Sequence, residues 1–413
     1  MSSHLHSDEF RDKARDQNAK DARHAFTRNR QLPLPTLLSF LLSGVVGNVQ
    51  TELNRFFAHL ANVADQTRKV TAQAFSKARK KLDMFVFHEI NRTLLALIEQ
   101  QVGLPRWCGL RVVAGDGSTV RLTLLDEKTR RRRISENRLF GLFLPNSELF
   151  LDLCLFPSVA DEREMLLQRA QEVLQPDDLL VLDRGFPSRA LLNILSHRGI
   201  AFCIRCDSNG FKAVKDFMRS PDSERVVTLP APDARDLAGY DCSACATTVR
   251  LIRVVTPTGT QIAIMTSLLD ASAYPASAFG DLYHRRWRIE EAFKRLKHRL
   301  HLESTSGLSW KAVQQDVGAK AVCDNLNALA VYLASGQPSL AQEVSRRINR
   351  SVTFSLIKPQ IGRWLLKIGA PALSFDKLFD ELLLNLQQFI PLRSRHRNHP
   401  PRKPHRAFAC KGI

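Results

Sequence analysis

The feature that most limits the fold is an alternation of strand-like and helix-like runs between residues 110 and 206. Apolar strand-like runs are LRVVAGDG, ELFLDLCLF, DLLVLDRGF and AFCIRC. Amphipathic helical runs, DEREMLLQRAQEVL and SRALLNILSHRG, separate the later ones. Strands that alternate with helices predict an α/β core with parallel strands.

Strand-like runs return after this core, and no helix is predicted between them. They are ERVVTLP, TTVRLIRVVT and TQIAIMTSLL. We therefore predict an all-β insertion at about residues 211–275, inside a core domain that spans residues 106–303. The segment that follows, YHRRWRIEEAFKRLK from Tyr283 to Lys297, is interpreted as one uninterrupted helix.

Helical patterns flank the core on both sides. Residues 1–31 are highly charged, which is typical of a frayed arm or a polar helix. Four helical runs then complete an N-terminal helical domain, 1–105, whose basic surface suits DNA binding or simple solvation. A long helix and three further helical runs predict a C-terminal domain, 304–390, with a possible role in dimerisation. The last part, 391–413, is a basic tail, either a solubilising end or, as we favour, an arm that contacts DNA.

The charge balance favours a polyanionic partner. Sixty Lys and Arg residues face 41 Asp and Glu, which leaves a net charge of +19, and each phosphate that a cation neutralises releases condensed counterions. Neither a signal peptide nor an apolar stretch long enough to span a membrane is visible. We therefore expect a cytoplasmic, nucleoid-associated protein.

Two C-x-x-C pairs, Cys203 with Cys206 and Cys242 with Cys245, leave open a structural zinc site or two pairs of reduced thiols. The first pair lies in a strand-like run, where residues i and i+3 point to opposite faces. We favour the thiols.

Carboxylates at two predicted strand ends are candidates for a metal site. Asp116 ends VVAGD and Asp183 ends LLVLD, and the crevice at the carboxyl ends of strands is where α/β sheets bind ligands. The alternatives are an Asp-Gly turn at Asp116 and a pair between Asp183 and Arg184. Two neighbouring carboxylates need cations to stay ionised, and Mg²⁺ is a hard cation that prefers oxygen ligands.

The predicted helix offers a third carboxylate. At about 100° per residue, Tyr283, Arg286, Glu290 and Lys297 fall on one face, whereas Glu291 points elsewhere. The alternative is an exposed helix in which Glu290 forms ordinary i,i+4 pairs with Arg286 and Lys294.

The pattern Tyr283-x2-Arg286-x3-Glu290-x6-Lys297 resembles the Y-x2-R-x3-E-x6-K signature of bacterial insertion-sequence transposases of family four, which are DDE enzymes. VVAGDGST and LLVLDRGF are similar to the first and second Asp motifs of that family, and the resemblance extends over about residues 25–400. It implies a ribonuclease-H-like catalytic core that a β insertion interrupts. One departure is Phe186, at a position where the family commonly has Tyr.

The resemblance also implies an activity, which is cut-and-paste DNA transposition with cleavage through a hairpin at the transposon end. Asp116, Asp183 and Glu290 would be the catalytic residues and the ligands of Mg²⁺, for which Mn²⁺ can substitute. Tyr283, Arg286 and Lys297 would bind DNA phosphates near the cut. The partners would be inverted-repeat DNA, target DNA and a second copy of the chain in the synaptic complex.

Two other functions remain open at this stage. A catalytically silent regulator would bind the transposon ends without cutting them, and a general ribonuclease-H-like nuclease would cut unrelated DNA. The basic run KTRRRR, 128–133, is either a DNA-backbone contact, which we favour, or a solvated loop.

Overall fold

The computed structural model describes residues 1–19, 24–27, 32–62, 68–126, 128–208, 210–256, 259–335, 346–348, 350–367 and 386–388. Its centre is a mixed eight-stranded sheet in the order β3-β2-β1-β4-β5-β8-β7-β6. The strands are β1 (Arg111–Leu125), β2 (Arg132–Leu144), β3 (Leu149–Pro157), β4 (Asp178–Leu182), β5 (Ala201–Cys206), β6 (Glu224–Leu229), β7 (Thr247–Val255) and β8 (Gln261–Thr266).

Helices cover the sheet and extend beyond it at both ends of the chain. They are α1 (Ser2–Leu5), α2 (Asp8–Lys13), α3 (Leu34–Leu42), α4 (Val49–Ala61), α5 (Ala72–Arg79), α6 (Val86–Gln101), α7 (Glu162–Val173), α8 (Arg189–His197), α9 (Lys212–Arg219), α10 (Ala234–Gly239), α11 (Phe279–Arg285), α12 (Arg288–His298), α13 (Trp310–Ser335) and α14 (Arg350–Leu366). Short strands β9 (Arg346–Ile348) and β10 (Leu386–Gln388) pair with each other.

The α/β prediction is confirmed, and β4 explains why it holds. β4 is buried along its whole length and runs parallel to both β1 and β5. A strand covered on both faces is mostly apolar, as the run LLVL is, and its buried first residue, Asp178, pairs with Arg111. Helices α7 and α8 precede and follow β4 and supply the connections that parallel strands require.

The prediction that the first strand ends at Asp116 is wrong. β1 continues to Leu125 because β2 pairs with it in antiparallel register as far as Leu125 and Arg132. Only the parallel partner stops early, since β4 pairs with β1 no further than Ala114 opposite Val181. Asp116 therefore lies inside a strand, at the place where one of its two neighbours ends.

The prediction that the inserted region is all-β is also wrong, because α9 precedes its first strand, β6, and α10 lies between β6 and β7. Its three strands extend the central sheet, since β8 pairs with β5. Val214 and Phe217 in α9 are buried at helical spacing. The short run FKAVKDFMR contains this spacing, and we read it as part of a strand-rich region.

Four helical runs predicted before the core are confirmed as α3 to α6, and the long helix after it as α13. These helices share one hydrophobic core with β1 to β5, in which α6 and α13 both pack on β3. Leu5 and Phe10 are buried in the same core, so the described N-terminal residues form helices and not a frayed arm. The domain boundaries at 105, 303 and 390 stay predictions.

The C-terminal predictions are described only in part. α14 accounts for one of the three helical runs expected after α13, and the basic tail at 391–413 lies outside the described residues. Among the helices that the structure describes, none has the length and apolar character needed to cross a bilayer.

Candidate active site

The segment that carries the four-residue signature is a broken helix, so the prediction of one uninterrupted helix is wrong. α11 ends at Arg285, α12 begins at Arg288, and Arg286 and Trp287 form a tight turn between them. The Arg286 amide donates to the Tyr283 carbonyl three residues back, and the Ile289 amide donates to the Arg286 carbonyl in the same way. Such i→i+3 bonds tighten the backbone locally.

The break leaves the predicted apolar stripe buried. Leu282 before it, and Ile289, Phe293 and Leu296 after it, have almost no exposed surface. Phe293 lies against Gly141 of β2, where an added Cβ would come within 3.2 Å of its ring. This close packing fixes α12 on the sheet, next to the strand that pairs with β1.

The structure brings the three predicted acids together around one guanidinium group. Arg286 Nη1 lies 3.3 Å from Asp116 Oδ2, and Arg286 Nη2 lies 3.1 Å from Glu290 Oε1 and 3.8 Å from Asp183 Oδ2. The acids come from β1, from the residue after β4, and from α12. The side chains of Asp183 and Glu290 are about one third exposed, so the cluster opens to solvent.

Local hydrogen bonds orient two of these carboxylates. The Gly117 amide donates to Asp116 Oδ1 at 2.9 Å, and the Arg184 amide donates to Asp183 Oδ1. The Tyr283 hydroxyl also donates to Asp183 Oδ1, at 3.4 Å. Each bond favours the ionised form of its acceptor.

Burial nevertheless opposes ionisation of Asp116. It raises the pKa of Asp116 to about 6, against the opposing charge of Arg286 and the Gly117 bond. Burial also raises the pKa of Tyr283 to about 12, so the hydroxyl keeps its proton at neutral pH. Three carboxylates around a single arginine are in excess, and a further cation would relieve that excess.

Lys297 contacts β1 just beyond Asp116. Its Nζ donates to Ser118 Oγ and to the Thr119 carbonyl, both at 2.7 Å, and burial lowers its pKa. Glu291, which we expected to be the poorer candidate, is 70% exposed and pairs with Lys294 at 2.6 Å. Glu290 and Glu291 are therefore neighbours in sequence with different surroundings.

Two contacts at the start of α7 were missed by sequence reasoning. Arg163 donates to the carbonyl oxygens of Gly185 and Phe186, both at 3.0 Å, and so holds the turn that follows Asp183. The Glu162 carboxylate lies so close to Gly117 that an added Cβ there would sit 2.5 Å from Oε1. The run DEREM offers several charges and no pattern that singles out these two. Phe186 is buried, with its ring 6.4 Å from that of Phe140.

A second group of polar residues, also missed, lies between α6, β3 and α7. His88 Nδ1 contacts Asp152 Oδ1 at 2.7 Å, Arg169 Nε donates to Asp152 Oδ2 at 2.6 Å, and Cys154 Sγ lies 3.6 Å from the same oxygen. Of the residues that the structure describes, these are the one set of His, Cys and acidic side chains with ligand atoms all within 4.8 Å. This set contains none of the cysteines of the two C-x-x-C pairs, so it does not support the zinc alternative for those pairs. Cys203 and Cys206 are buried in β5, as expected for a strand.

The basic run 128–133 lies at the turn between β1 and β2, and its described residues are exposed. Its described neighbour Asp126 accepts hydrogen bonds from the backbone amides of Lys128 and Thr129, which shape the turn. The arginine side chains are thus displayed to solvent at the far end of the strand that carries Asp116.

The donor set suits a hard divalent cation. Asp116, Asp183 and Glu290 offer only carboxylate oxygens, and Mg²⁺ and Mn²⁺ prefer such ligands. The oxygens do not close to within 4.8 Å of one another, because they surround Arg286. The three side chains therefore have the ligand atoms that the ion prefers, and the guanidinium of Arg286 lies between them.

The sequence model described as "Transposase DDE domain" matches residues 107–326, more than half of the chain. The chain belongs to this family. The match contains Asp116, Asp183 and the whole signature from Tyr283 to Lys297. DDE transposases generally use divalent metal ions, in agreement with the oxygen-rich site.

One relative and one solved structure are similar to this chain to different extents. The transposase InsG for insertion sequence element IS4, from Escherichia coli strain K12, is 24% identical over 284 residues, which cover 65% of this chain and 63% of that protein. This similarity confirms the expected relation to family-four transposases. The matched region thus spans less than two thirds of the relative. A cryo-EM structure of the piggyBac transposase synaptic complex with hairpin DNA aligns over 94% of this chain and 85% of that one, with 9% identity and a TM-score of 0.43.

Proposed function

We propose that this protein is a DNA transposase that cuts the strands at the inverted-repeat ends of an insertion sequence and joins them to target DNA. The observation that carries the proposal is the convergence of Asp116, Asp183 and Glu290, from three separate elements, at one partly open site. The site lies inside the part of the chain that the DDE family matches.

The topology of the sheet supports a ribonuclease-H-like core. β1, β2 and β3 form an antiparallel meander, and β4 and β5 continue from β1 in parallel, which gives the order 3-2-1-4-5. In this core the first acid lies on the central strand β1, and the second follows the adjacent strand β4. We propose that β6 to β8, with α9 and α10, are an insertion that lengthens the sheet before the third acid.

The acids would hold Mg²⁺, or Mn²⁺ in its place, through carboxylate oxygens. When bound, the ions supply an activated water and neutralise charge on the attacking and leaving oxygens of the phosphate. Asp116 is held rigidly by the Gly117 amide, and Glu290 by the packing of α12. Such fixed placement is what in-line displacement at phosphorus requires of its ligands.

Three further side chains would bind DNA phosphates close to the acids. Arg286 offers a planar fork of donors, Lys297 a compact charge, and Tyr283 a hydroxyl that stays protonated. All three now donate to protein oxygens. Binding of a phosphate would exchange at least some of these contacts for contacts to DNA.

The proposed partners are inverted-repeat DNA, target DNA and a second copy of the chain that holds the other transposon end. The net charge of +19 supports a polyanionic partner. The exposed arginines between β1 and β2 extend the basic surface away from the acids. We propose that they contact the DNA backbone without reading its sequence.

One experiment separates this function from its alternatives. The purified full chain is incubated with Mg²⁺ and either DNA that contains its own inverted repeat or DNA of unrelated sequence. We expect nicks and hairpins at the repeat end only. Binding of the repeat without any cutting would instead identify a silent regulator, and equal cutting of both DNAs a general nuclease.

A further inference from the structure

Arg286 is buried among acids and makes only long contacts to them. It is 2% exposed, yet its Nε has no hydrogen-bond partner among the described residues. Its contacts to the three acids measure 3.1, 3.3 and 3.8 Å. Strong pairs between a guanidinium and a carboxylate are shorter, about 2.7–2.9 Å.

Arg295, one turn beyond Glu290 on α12, shows what a structural arginine looks like in this protein. Its Nε donates to Asp324 Oδ1 at 2.8 Å, and its Nη2 donates to Asp324 Oδ2 at 2.7 Å. This bidentate pair is buried on both sides. Arg295 has one short bidentate partner and a longer contact of 3.5 Å to Glu148, whereas Arg286 makes no short pair with any of its three acids.

The charges around Arg286 give the reason for this loose arrangement. Three carboxylates and one guanidinium leave an excess of negative charge in a site that is partly closed to water. The one guanidinium is divided among the three acids, with Nη1 towards Asp116 and Nη2 towards Glu290 and Asp183. The guanidinium therefore balances part of the charge and fully satisfies none of its partners.

Arg286 lies in the break between α11 and α12, with two aromatic rings beside its guanidinium. Its guanidinium carbon is 5.8 Å from the centre of the Tyr283 ring and 5.3 Å from that of Trp287. Trp287 is 49% exposed, so its ring offers the guanidinium a contact at the rim of the site.

We infer that Arg286 is an exchangeable counterion, which holds the three acids when no divalent cation is bound and leaves them when such a cation binds. This inference rests on the proposed function only in taking these acids as the metal ligands. Because Arg286 and the divalent cation compete for the same carboxylates, each weakens the binding of the other there. The released guanidinium then becomes free to meet a DNA phosphate.

The test measures Mn²⁺ binding to the full chain without DNA, by the electron paramagnetic resonance signal of free Mn²⁺. Arg286→Gln removes the competing charge, and we expect it to bind Mn²⁺ about tenfold more tightly than the unaltered protein does. Arg286→Lys keeps a charge that reaches fewer acids, so its gain should be smaller. Arg285→Gln is the matched control, since Arg285 donates to Asn146 and not to the acids, and its affinity should stay unchanged.

A second measurement addresses folding and the origin of the signal. Without Mn²⁺, Arg286→Gln should unfold at a lower temperature than the unaltered protein, and Mn²⁺ should raise its melting temperature by more. In Glu290→Gln the tight Mn²⁺ binding should be lost, which assigns the signal to this site. Unchanged or weaker Mn²⁺ binding in a folded Arg286→Gln variant would overturn the inference.

The outcome can be separated from that of the proposed function, because no DNA is cut in this test. A protein that cuts its repeat DNA while Arg286→Gln gains no affinity for Mn²⁺ would refute only the exchange. A protein that shows the exchange and cuts no DNA would refute only the transposase activity. Absence of Mn²⁺ binding in every variant would overturn the exchange as well.

Discussion

Two groups of polar residues beside the same sheet each contain a largely buried aspartate, Asp116 in one and Asp152 in the other, and the two aspartates are balanced in different ways. At the candidate active site, Asp116 shares Arg286 with two other acids, and burial raises its pKa to about 6. At the other site, burial also opposes ionisation of Asp152, but bonds and charge from His88 and Arg169 lower its pKa to about 2. The distance from Asp152 to each of these partners is 2.6–2.7 Å.

The two aspartates are therefore expected to contribute differently to the stability of the protein. Asp152 has a partner for each of its oxygens, and removing it would leave buried donors without an acceptor. Asp116 belongs to a group with too few cations, and removing it would relieve repulsion. A surplus of buried carboxylates costs stability, and such surpluses are characteristic of functional sites. The comparison therefore contrasts a cluster that we expect to support the fold with one that we propose serves chemistry.

The largest effect is expected from Asp116→Asn, which should lower the rate of repeat-end cleavage by about 1000-fold or more, as loss of a metal ligand does. Its free energy of unfolding should stay the same or rise by up to about 1 kcal/mol, because a carboxylate leaves an acid-rich site. The rate is measured by nicking in gels and the stability by urea unfolding. Strong destabilisation of this variant would show that Asp116 supports the fold as Asp152 does, and would contradict the comparison.

The opposite pattern is expected from Asp152→Ala. It should lower the free energy of unfolding by about 3–5 kcal/mol, since Arg169 and His88 would lose their buried partner. The remaining folded protein should still cut DNA once its concentration is corrected for the unfolded fraction. Urea unfolding and cleavage at low temperature check the two statements. A loss of stability below about 1 kcal/mol would show that the cluster is not structural.

The two clusters should also respond to pH in opposite directions. The pKa of Asp152 is lower in the folded than in the unfolded protein, so its stabilising contribution is present above pH 4 and is lost as pH falls from about 4 towards 2. The pKa of Asp116 is higher in the folded than in the unfolded protein, so its ionised carboxylate destabilises the folded state above pH 6. This destabilisation is lost as pH falls from about 6 towards 4 and the folded protein takes up a proton.

Unfolding free energies across pH 3–8 test these directions, if each variant is compared with the unaltered protein. The difference for Asp152→Asn should shrink below pH 4, and the difference for Asp116→Asn should shrink below pH 6. Equal slopes for the two variants would contradict the assignment.

The smallest effect is expected at Glu291, because its ion pair with Lys294 is exposed to solvent, unlike the partners of Asp116 and Asp152. Glu291→Gln should change the free energy of unfolding by less than about 0.5 kcal/mol. Urea unfolding measures it. A larger change would mean that a solvent-exposed charge on α12 contributes to the free energy of unfolding, contrary to the contrast drawn with the buried Asp152.

Much of the candidate active site was predictable because its signals are local. Buried runs before Asp116 and Asp183 mark neighbouring strands, and the spacing from Tyr283 to Lys297 marks one helical face even though the helix is broken. The break itself depends on backbone bonds at Arg286 that no side-chain pattern reports. The continuation of β1 beyond Asp116 depends on its pairing with β2, a partner that follows a hairpin.

The second cluster could not be predicted for a related reason. His88 lies on α6, Asp152 on β3 and Arg169 on α7, and only the packing of these elements brings them together. His88 is separated from Asp152 by 64 residues, and neither has a neighbour in sequence that suggests a site. Sequence spacing reveals contacts within one helix or strand, whereas contacts between elements require the fold.

The central claim, that Asp116, Asp183 and Glu290 form the catalytic site, is tested most directly by comparing two adjacent glutamates. Repeat-end DNA and Mg²⁺ are supplied to Glu290→Gln and to Glu291→Gln, and DNA binding is measured beside cleavage. The account predicts that Glu290→Gln binds the repeat and does not cut it, while Glu291→Gln binds and cuts as the unaltered protein does. Cleavage by Glu290→Gln at the unaltered rate would contradict the account.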